Sequence, residues 1–249
     1  MATFTYRLDD KHSLRARLGL IVLQSDETIE GEFRRMLPSE GVALYITRVE
    51  SDPEVRADTL ARMTDRIEGA ARLLPRPLTY DAVGYACTSG TSVIGARKVS
   101  AQINAGCATR ADSQPIAALL AAARALGLDR IAFLSPYLED VSGRIRQILG
   151  EGGLASPVFG TFNERREENV AWISPSSIRD AAVELADRSG VDGIFLSCTN
   201  LRTLDVIAPI EAETGLPVLS SNQVLFWHMM RLAGLEDRMA GFGRLLEEA

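Results

Sequence analysis

Two cysteines of this chain lie in similar surroundings. Cys87 is found in GYACTSG (84–90) and Cys198 in LSCTNLR (196–202), and each follows a short apolar run and precedes a threonine. A cysteine between the end of a strand and the start of a helix faces backbone N–H groups and the positive end of the helix dipole, which lower the pKa of a thiol. The pattern therefore predicts two reactive thiols. Cys107, in INAGCATR, lacks this setting and is predicted to be structural.

The residues that follow each cysteine could hold a carboxylate, because hydroxyl groups and loop N–H groups are hydrogen-bond donors. They are Thr88, Ser89 and Gly90 after the first cysteine, and Thr199 and Asn200 after the second. Two thiols on opposite sides of a carbon can remove a proton from one face and return it to the other, or can add to a double bond and be eliminated. The first reaction is racemisation and the second is isomerisation about the double bond. Neither reaction needs a cofactor.

The composition excludes several classes of protein. The 249 residues are 46% hydrophobic and 24% charged, which is typical of a globular protein. A net charge of −6 argues against nucleic acid as a partner, and no apolar run reaches the ~20 residues that a membrane span needs. The charged N-terminus does not look like a signal peptide, so we expect a cytoplasmic protein that binds no membrane.

The residues that hold common cofactors are scarce. Two histidines, two lysines and three cysteines, widely separated, do not suggest a zinc site, a pyridoxal Schiff base or a disulfide framework. Glycine-rich phosphate-binding motifs are also missing from the sequence. We therefore expect a protein that uses no cofactor and no metal, and that acts on a small carboxylate or amino-acid-like substrate.

Short β-branched runs alternate with amphipathic stretches along the chain, and this alternation predicts an α/β fold with parallel sheets covered on both faces. The predicted strands are Leu18–Leu23, Val42–Val49, Tyr80–Ala86, Ile131–Ser135, Asp192–Ser197 and Pro217–Ser220. The predicted helices are Asp26–Leu37, Pro53–Leu74, Pro115–Gly127, Leu138–Leu149, Pro175–Arg188, Thr203–Thr214 and Gln223–Leu232. The two Cys-Thr pairs, about 110 residues apart, suggest two similar lobes that face each other. Loops beyond the carboxyl ends of parallel strands are where such folds bind ligands.

Several segments together resemble the Asp/Glu racemase superfamily, in particular its group of maleate cis-trans isomerases and arylmalonate decarboxylases. The similar segments are GYACTSG (84–90), SPYLEDV (135–141), DGIFLSCTNLRTLD (192–205), GLPVLSSNQ (215–223) and GFGRLLEE (241–248). The resemblance implies two α/β lobes related by a pseudo-twofold axis, with the active site in the cleft between them. We expect one lobe to comprise residues 1–112 and 218–249, and the other residues 113–217.

The resemblance also implies roles for particular residues. Cys87 and Cys198 correspond to a catalytic pair, Tyr137 to a tyrosine that hydrogen-bonds the substrate carboxylate, and Asn169 to an asparagine of the site. The alternatives are that Tyr137 packs within its lobe and that Asn169 caps a helix or loop. Arylmalonate decarboxylases carry a glycine in place of the first cysteine, so Cys87 argues against decarboxylation.

The loop after the first strand departs from the pattern of maleate isomerases. They carry a loop similar to PSSNTTxE, whereas this chain has LQSDETIE, which places Asp26 where an asparagine is expected. A carboxylate there would repel a dianion such as maleate and suit a substrate with an amine. The loop is similar to that of racemase-like proteins from ectoine-utilisation clusters. Asp26 could instead cap the following helix, or serve both purposes.

We therefore predict a cofactor-independent two-cysteine isomerase that racemises or epimerises an amino-acid-like carboxylate, in ectoine or hydroxyectoine catabolism. The alternatives are a maleate cis-trans isomerase, with one cysteine as nucleophile and the other as acid, and a carboxylate-binding protein without activity. We expect a homo-oligomer. The run ERREEN (164–169) is predicted to be a solvated face, and Trp172 and Phe242 are predicted to lie in the core.

Overall fold

Two parallel four-stranded β-sheets form the framework of the chain. The computed structural model describes residues 1–8, 14–52, 54, 57–188 and 190–249, without the side chains of residues 57 and 58. The first sheet has the order β2-β1-β3-β4 and the second has the order β6-β5-β7-β8. The strands are β1 (Ala16–Leu23), β2 (Val42–Val49), β3 (Ala82–Ala86), β4 (Asp112–Ser113), β5 (Arg130–Ser135), β6 (Ala155–Thr161), β7 (Gly193–Leu196) and β8 (Val218–Ser220).

The second sheet repeats the strand order of the first, which confirms the predicted α/β fold with two similar lobes. In each sheet the second strand is added on one side of the first strand, and the third and fourth are added on the other side. The change occurs between β1 and β3 in the first sheet and between β5 and β7 in the second. Loops after these strands border a topological switch point, the usual ligand-binding crevice of open parallel sheets. Asp26 and Cys87 follow β1 and β3, and Tyr137 and Cys198 follow β5 and β7. The repeat therefore carries four of the predicted site residues to equivalent positions.

Helices cover the sheets, so the central strands are buried on both faces and consist of continuous apolar runs. The helices are α1 (Ile29–Met36), α2 (Ala57–Arg62), α3 (Thr64–Ala71), α4 (Thr88–Ile94), α5 (Ala96–Gly106), α6 (Pro115–Leu126), α7 (Glu139–Glu151), α8 (Glu167–Trp172), α9 (Pro175–Ala186), α10 (Leu204–Thr214), α11 (Ser221–Leu232) and α12 (Arg244–Glu248). No helix among the described residues combines the length and apolar character that a membrane span requires.

Several elements differ from the sequence prediction. The helix predicted from Pro53 to Leu74 is two helices, α2 and α3, separated at Met63, and Pro53 lies outside the described residues. Strand β6 was not predicted, because Pro157 interrupts its pattern; β6 is an edge strand, where a missing N–H is tolerated. Strand β8 pairs with β7, so the second sheet extends to Ser220, whereas the following α11 packs against β3 of the first sheet. The division into lobes stays a prediction.

The prediction for Trp172 is wrong. Its side chain is 74% exposed. Helix α8 turns Glu167, Val170 and Ala171 inward, at the spacing of one helical face, and this leaves Trp172 outside that face. Phe242 is partly buried and packs against the core.

Candidate active site

Cys87 directly follows β3 and caps α4. Its Sγ accepts the backbone N–H of Gly90 at 3.1 Å, and the Ser89 hydroxyl lies 3.6 Å away. Tyr85, two residues earlier, places its hydroxyl beside the same thiol, and this hydroxyl donates to Met63 Sδ at 3.9 Å. The lack of a side chain at Gly90 is essential to this packing, since a Cβ there would lie 2.8 Å from Cys87 Sγ and 2.9 Å from Tyr85 Oη.

Cys198 has an equivalent set of partners in the second lobe. Its Sγ accepts the backbone N–H of Asn200 at 3.3 Å, and the Tyr137 side chain lies near enough to affect the pKa of the thiol. Tyr137 follows β5 and is 2% exposed. The backbone of Cys198 has a φ of +156°, which residues with a side chain seldom adopt. Each thiol therefore has one backbone donor and one tyrosine.

Ser221 joins the two cysteine loops. At the start of α11, its hydroxyl accepts the Cys198 N–H at 3.0 Å and lies 2.9 Å from the Thr88 hydroxyl. A second contact runs from the Thr199 hydroxyl to the Ala86 carbonyl at 3.4 Å. The repeat thus brings both cysteines into one site between the sheets.

Burial opposes the ionisation of both thiols, contrary to the expectation of lowered pKa values. Burial raises the pKa of Cys87 to about 12, although Ser89 and the Gly90 N–H oppose the shift. Burial also raises the pKa of Cys198 well above its usual value. The charges of Glu167 and Asp26 raise the pKa of both thiols further. The helix N-terminus has the predicted effect, but desolvation is larger.

The two acidic side chains that raise the pKa of the thiols, Asp26 and Glu167, are both buried and belong to different lobes. Asp26 is 3% exposed, and its Oδ1 accepts the N–H groups of Thr28 and Ile29 at 2.8 and 2.9 Å, so it does cap α1. Burial raises the pKa of Asp26 above its usual value. Glu167, the first residue of α8, is 4% exposed, and burial raises its pKa to about 7. Part of the ERREEN run is therefore buried, contrary to the predicted solvated face.

Asn200 connects the lobes around the site. Its Oδ1 accepts the Glu27 N–H at 2.9 Å, and its Nδ2 donates to the Glu167 carbonyl at 3.1 Å. Its own carbonyl accepts the Thr28 hydroxyl at 2.9 Å. These bonds hold the loop after β1 against the loop after β7.

A third carboxylate, Glu32 of α1, strengthens this contact. Its Oε1 accepts the N–H groups of Thr203 and Leu204 at 2.7 and 2.9 Å, and its Oε2 accepts Asn222 Nδ2 at 2.8 Å. Glu32 therefore satisfies donors at the start of α10 in the other lobe. Burial raises the pKa of Glu32 to about 7.

Most of the predicted site residues are gathered around the two thiols. Those that are buried there are Asp26, Thr88, Ser89, Gly90, Tyr137, Thr199 and Asn200. Asn169 is half-buried and donates to Glu164 Oε2 at 2.9 Å, so its hydrogen bond points to its own loop. That these residues contact the substrate stays a prediction.

Sequence reasoning missed Tyr85, Glu32, Glu167 and Ser221. Tyr85 could have been found from its spacing of two residues before Cys87 on a strand, and Glu167 from its helical spacing with Val170. Among the described residues, no three His, Cys, Asp or Glu side chains are placed to hold a metal ion.

Comparison with known proteins agrees with this architecture. The family model of arylmalonate decarboxylase matches residues 32–246. The arylmalonate decarboxylase of Bordetella bronchiseptica is 35% identical over 134 residues, which cover 53% of this chain and 56% of that protein. The maleate isomerase of Pseudomonas putida is 26% identical over 247 residues, which cover 94% of this chain and 98% of that protein.

Solved structures show the same fold. A mutant of Nocardia farcinica maleate cis-trans isomerase with a covalently bound succinylcysteine intermediate has a TM-score of 0.84 at 24% identity and covers 94% of this chain and 99% of its own. A double mutant of arylmalonate decarboxylase in the liganded form has a TM-score of 0.78 at 26% identity and covers 94% of this chain and 100% of its own. The chain therefore belongs to the arylmalonate decarboxylase family, within the Asp/Glu racemase-like group of enzymes that includes maleate isomerases.

Proposed function

We propose that the protein is a cysteine-dependent isomerase of small carboxylates, with Cys87 and Cys198 as its catalytic pair. The observation that carries this proposal is the equivalence of the two thiols, each at the end of the third strand of its sheet and each with a backbone donor and a tyrosine. Relatives named maleate isomerase match nearly the whole chain, so isomerisation about a double bond is better supported than the racemisation predicted from the sequence.

In the proposed reaction, one cysteine releases its proton to water as the substrate binds and recovers it when the product leaves. Its thiolate adds to an alkene carbon of the substrate. A C–S bond forms, the π electrons move to the neighbouring carbon, and the second cysteine gives its proton to that carbon. Rotation about the new single bond is followed by return of the proton to the second cysteine. The C–S bond then breaks and the double bond re-forms with the opposite geometry. No electrons or atoms are gained or lost overall.

Backbone and hydroxyl donors would stabilise the negative charge that develops on the substrate carboxylate during this addition. Ser89, Thr88 and Thr199 are buried beside the thiols and offer hydroxyl groups. Donors that are already oriented stabilise such a charge at little reorganisation cost. Tyr137, which lies near Cys198, would orient both the thiol and a carboxylate beside it.

Racemisation or epimerisation of an amino-acid-like acid is the second candidate, because the buried Asp26 and Glu167 would favour a substrate with an amine. The same pair of cysteines would remove a proton from one face of a carbon and replace it on the other. A place in ectoine or hydroxyectoine catabolism is supported only by the resemblance of the LQSDETIE loop.

Proton NMR of candidate acids in deuterated buffer tests the proposal and separates its two forms. Isomerisation converts one geometric isomer into the other, whereas racemisation exchanges a carbon-bound proton for deuterium. We expect Cys87→Ser and Cys198→Ser each to abolish full turnover, and the control Cys107→Ser to retain it. Near wild-type turnover by either variant of the pair would exclude the two-thiol mechanism.

A further inference from the structure

The loop after β1 and the start of α8 place two acid groups beside the thiols, and one of them has an unsatisfied oxygen. Asp26 Oδ2 is buried and has no hydrogen-bond partner among the described residues, although the Thr199 hydroxyl lies near enough to lower the pKa of the carboxyl group. Glu167 Oε2 accepts one hydrogen bond, from Asn200 Nδ2 at 3.3 Å. A buried polar oxygen without a partner costs free energy until a donor reaches it.

No arginine or lysine among the described residues forms an ion pair with either acid. Arg48 comes nearest to doing so, since its charge lowers the pKa of Asp26. Its guanidinium, however, donates to the backbone carbonyl of Asp26 at 3.0 Å and pairs with Glu30 at 2.5 Å. The site therefore combines two buried acids with no cation of its own.

The surface next to Glu167 is predominantly negative. A concavity of about 340 Å³ is lined there by Ser25, Glu27, Glu54, Arg166, Glu167 and Glu168. Four of these six residues are glutamates against one arginine, and an acidic surface raises the local concentration of cations over that of anions. An ammonium group fits such a pair of acids, because its N–H groups can donate to both carboxyl groups.

We propose that Asp26 and Glu167 bind a protonated amine, so that the substrate is a small carboxylate that also carries an ammonium group. This inference rests on the isomerase function proposed above and specifies its substrate class. The carboxylate of the substrate would lie among the hydroxyl and N–H donors of the cysteine loops, and its ammonium group would donate to Asp26 Oδ2 and Glu167.

Binding of an ammonium group would also activate the thiols. The charges of Asp26 and Glu167 hold the pKa of Cys87 and Cys198 up, in addition to the effect of burial. A cation between these acids and the thiols cancels that repulsion and favours the thiolate. A dianion would have the opposite effect, because it would add negative charge to a site that already disfavours it.

Two matched probes test the inference. cis-4-Aminobut-2-enoate and maleate have the same four-carbon skeleton and the same double bond, and they differ in an aminomethyl group against a second carboxylate. We expect the wild-type protein to isomerise the amine with a kcat/KM at least about tenfold higher than that for maleate, measured by proton NMR. Racemisation of 2-aminobutyrate, against 2-hydroxybutyrate without the amine, provides the same comparison for a saturated substrate.

Two isosteric variants locate the effect. Asp26→Asn keeps a helix cap, since asparagine caps about as well as aspartate, and Glu167→Gln keeps a polar side chain in the same place. We expect each variant to lower the ratio of amine to maleate kcat/KM by at least about tenfold, as the loss of a hydrogen bond to a charged group does. Glu184→Gln is the control, because this exposed residue of α9 makes the same change in net charge far from the thiols.

Maleate turnover that equals or exceeds amine turnover in the wild type, with a ratio unchanged in Asp26→Asn and Glu167→Gln, would overturn the inference and leave the isomerase intact. Failure of the wild type to bind either cis-4-aminobut-2-enoate or 2-aminobutyrate in calorimetric titration would also overturn it. If one variant does not fold properly, which a lower melting temperature would show, the other variant and the wild-type ratio of amine to maleate kcat/KM test the inference. A different result would contradict the proposed function, namely that Cys87→Ser or Cys198→Ser retains activity on the acid that the wild-type protein converts.

Discussion

The hydroxyl of Ser221 accepts the backbone N–H of Cys198 at 3.0 Å. This bond fixes the one described cysteine whose backbone has a positive φ, and the same hydroxyl reaches Thr88, the neighbour of Cys87. Ser221 therefore positions both thiols, although it belongs to neither cysteine loop.

Replacement of Ser221 by alanine should reduce activity more than stability. We expect Ser221→Ala to lower kcat by about tenfold or more, because Cys198 loses the partner that holds its unusual backbone. Ser220→Ala is the matched control. Ser220 accepts the Gln223 N–H at 3.3 Å as the cap of α11, so its loss should cost about 1 kcal/mol of unfolding free energy with kcat retained. Equal kcat values for wild type and Ser221→Ala would show that the serine does not position the thiol.

Gly90→Ala should impair the site although it lies in a helix. Alanine normally stabilises a helix by up to about 1 kcal/mol over glycine, but here the new Cβ would lie 2.8 Å from Cys87 Sγ and 2.9 Å from Tyr85 Oη. We expect a large fall in kcat and no gain in melting temperature. Gly143→Ala in α7, where a Cβ would meet nothing within 4 Å, should raise the melting temperature and leave kcat unchanged. A stabilised and active Gly90→Ala protein would contradict the packing described for Cys87.

Alkylation of the native protein should modify Cys107 first. Burial raises the pKa of all three thiols, but Cys107 is partly exposed, whereas Cys87 and Cys198 are each 2% exposed. Thiolates react and thiols do not, so the two buried cysteines should react with iodoacetamide at pH 8 much more slowly than Cys107. Mass spectrometry of peptides after timed exposure measures this order, and unfolded protein, in which all three should react alike, is the control. Rapid labelling of Cys87 or Cys198 in the absence of substrate would contradict their burial.

The stability of the fold should depend on the protonation of Glu32. Burial raises its pKa from 4.5 to about 7, so between these values the folded protein holds a proton that the unfolded chain has released. The free energy of unfolding must therefore fall as pH rises from about 4.5 to 7, by up to about 3 kcal/mol from this group. Glu32→Gln removes the titration, so the stability of the variant relative to wild type should increase over that interval. Denaturant unfolding of both proteins at pH 5 and pH 8 measures the change. A difference that does not vary with pH would show that Glu32 ionises normally.

Much of the fold follows from local patterns in the sequence. The alternation of apolar runs and amphipathic stretches predicted most strands and helices, and the shared Cys-Thr pair indicated the repeat. Cys87 and Cys198 could be found because the chemistry of a strand-end cysteine depends on its immediate neighbours. Strand β6 and the break at Met63 depend instead on edge position and packing, which a single sequence does not display.

The electrostatics of the site could not be read from the sequence. The pKa of Cys87 depends on how far the other lobe excludes water from it, and this desolvation outweighs the local N–H donor that the sequence does reveal. Glu167 was assigned to a solvated face because charged runs are usually exposed, and only the packing of α8 against Asn200 buries it. Trp172 was assigned to the core from its residue type, and the same packing turns it outward.

The lobes hold one another through the residues that surround the reaction site. Glu32 binds the start of α10, and Asn200 binds the loop after β1, while both cysteines lie 2% exposed behind these contacts. A substrate can reach the sulfurs only after some of these hydrogen bonds open. Entry then requires the loops that carry these bonds to separate. Turnover governed by such a motion would slow in viscous solvents such as concentrated glycerol.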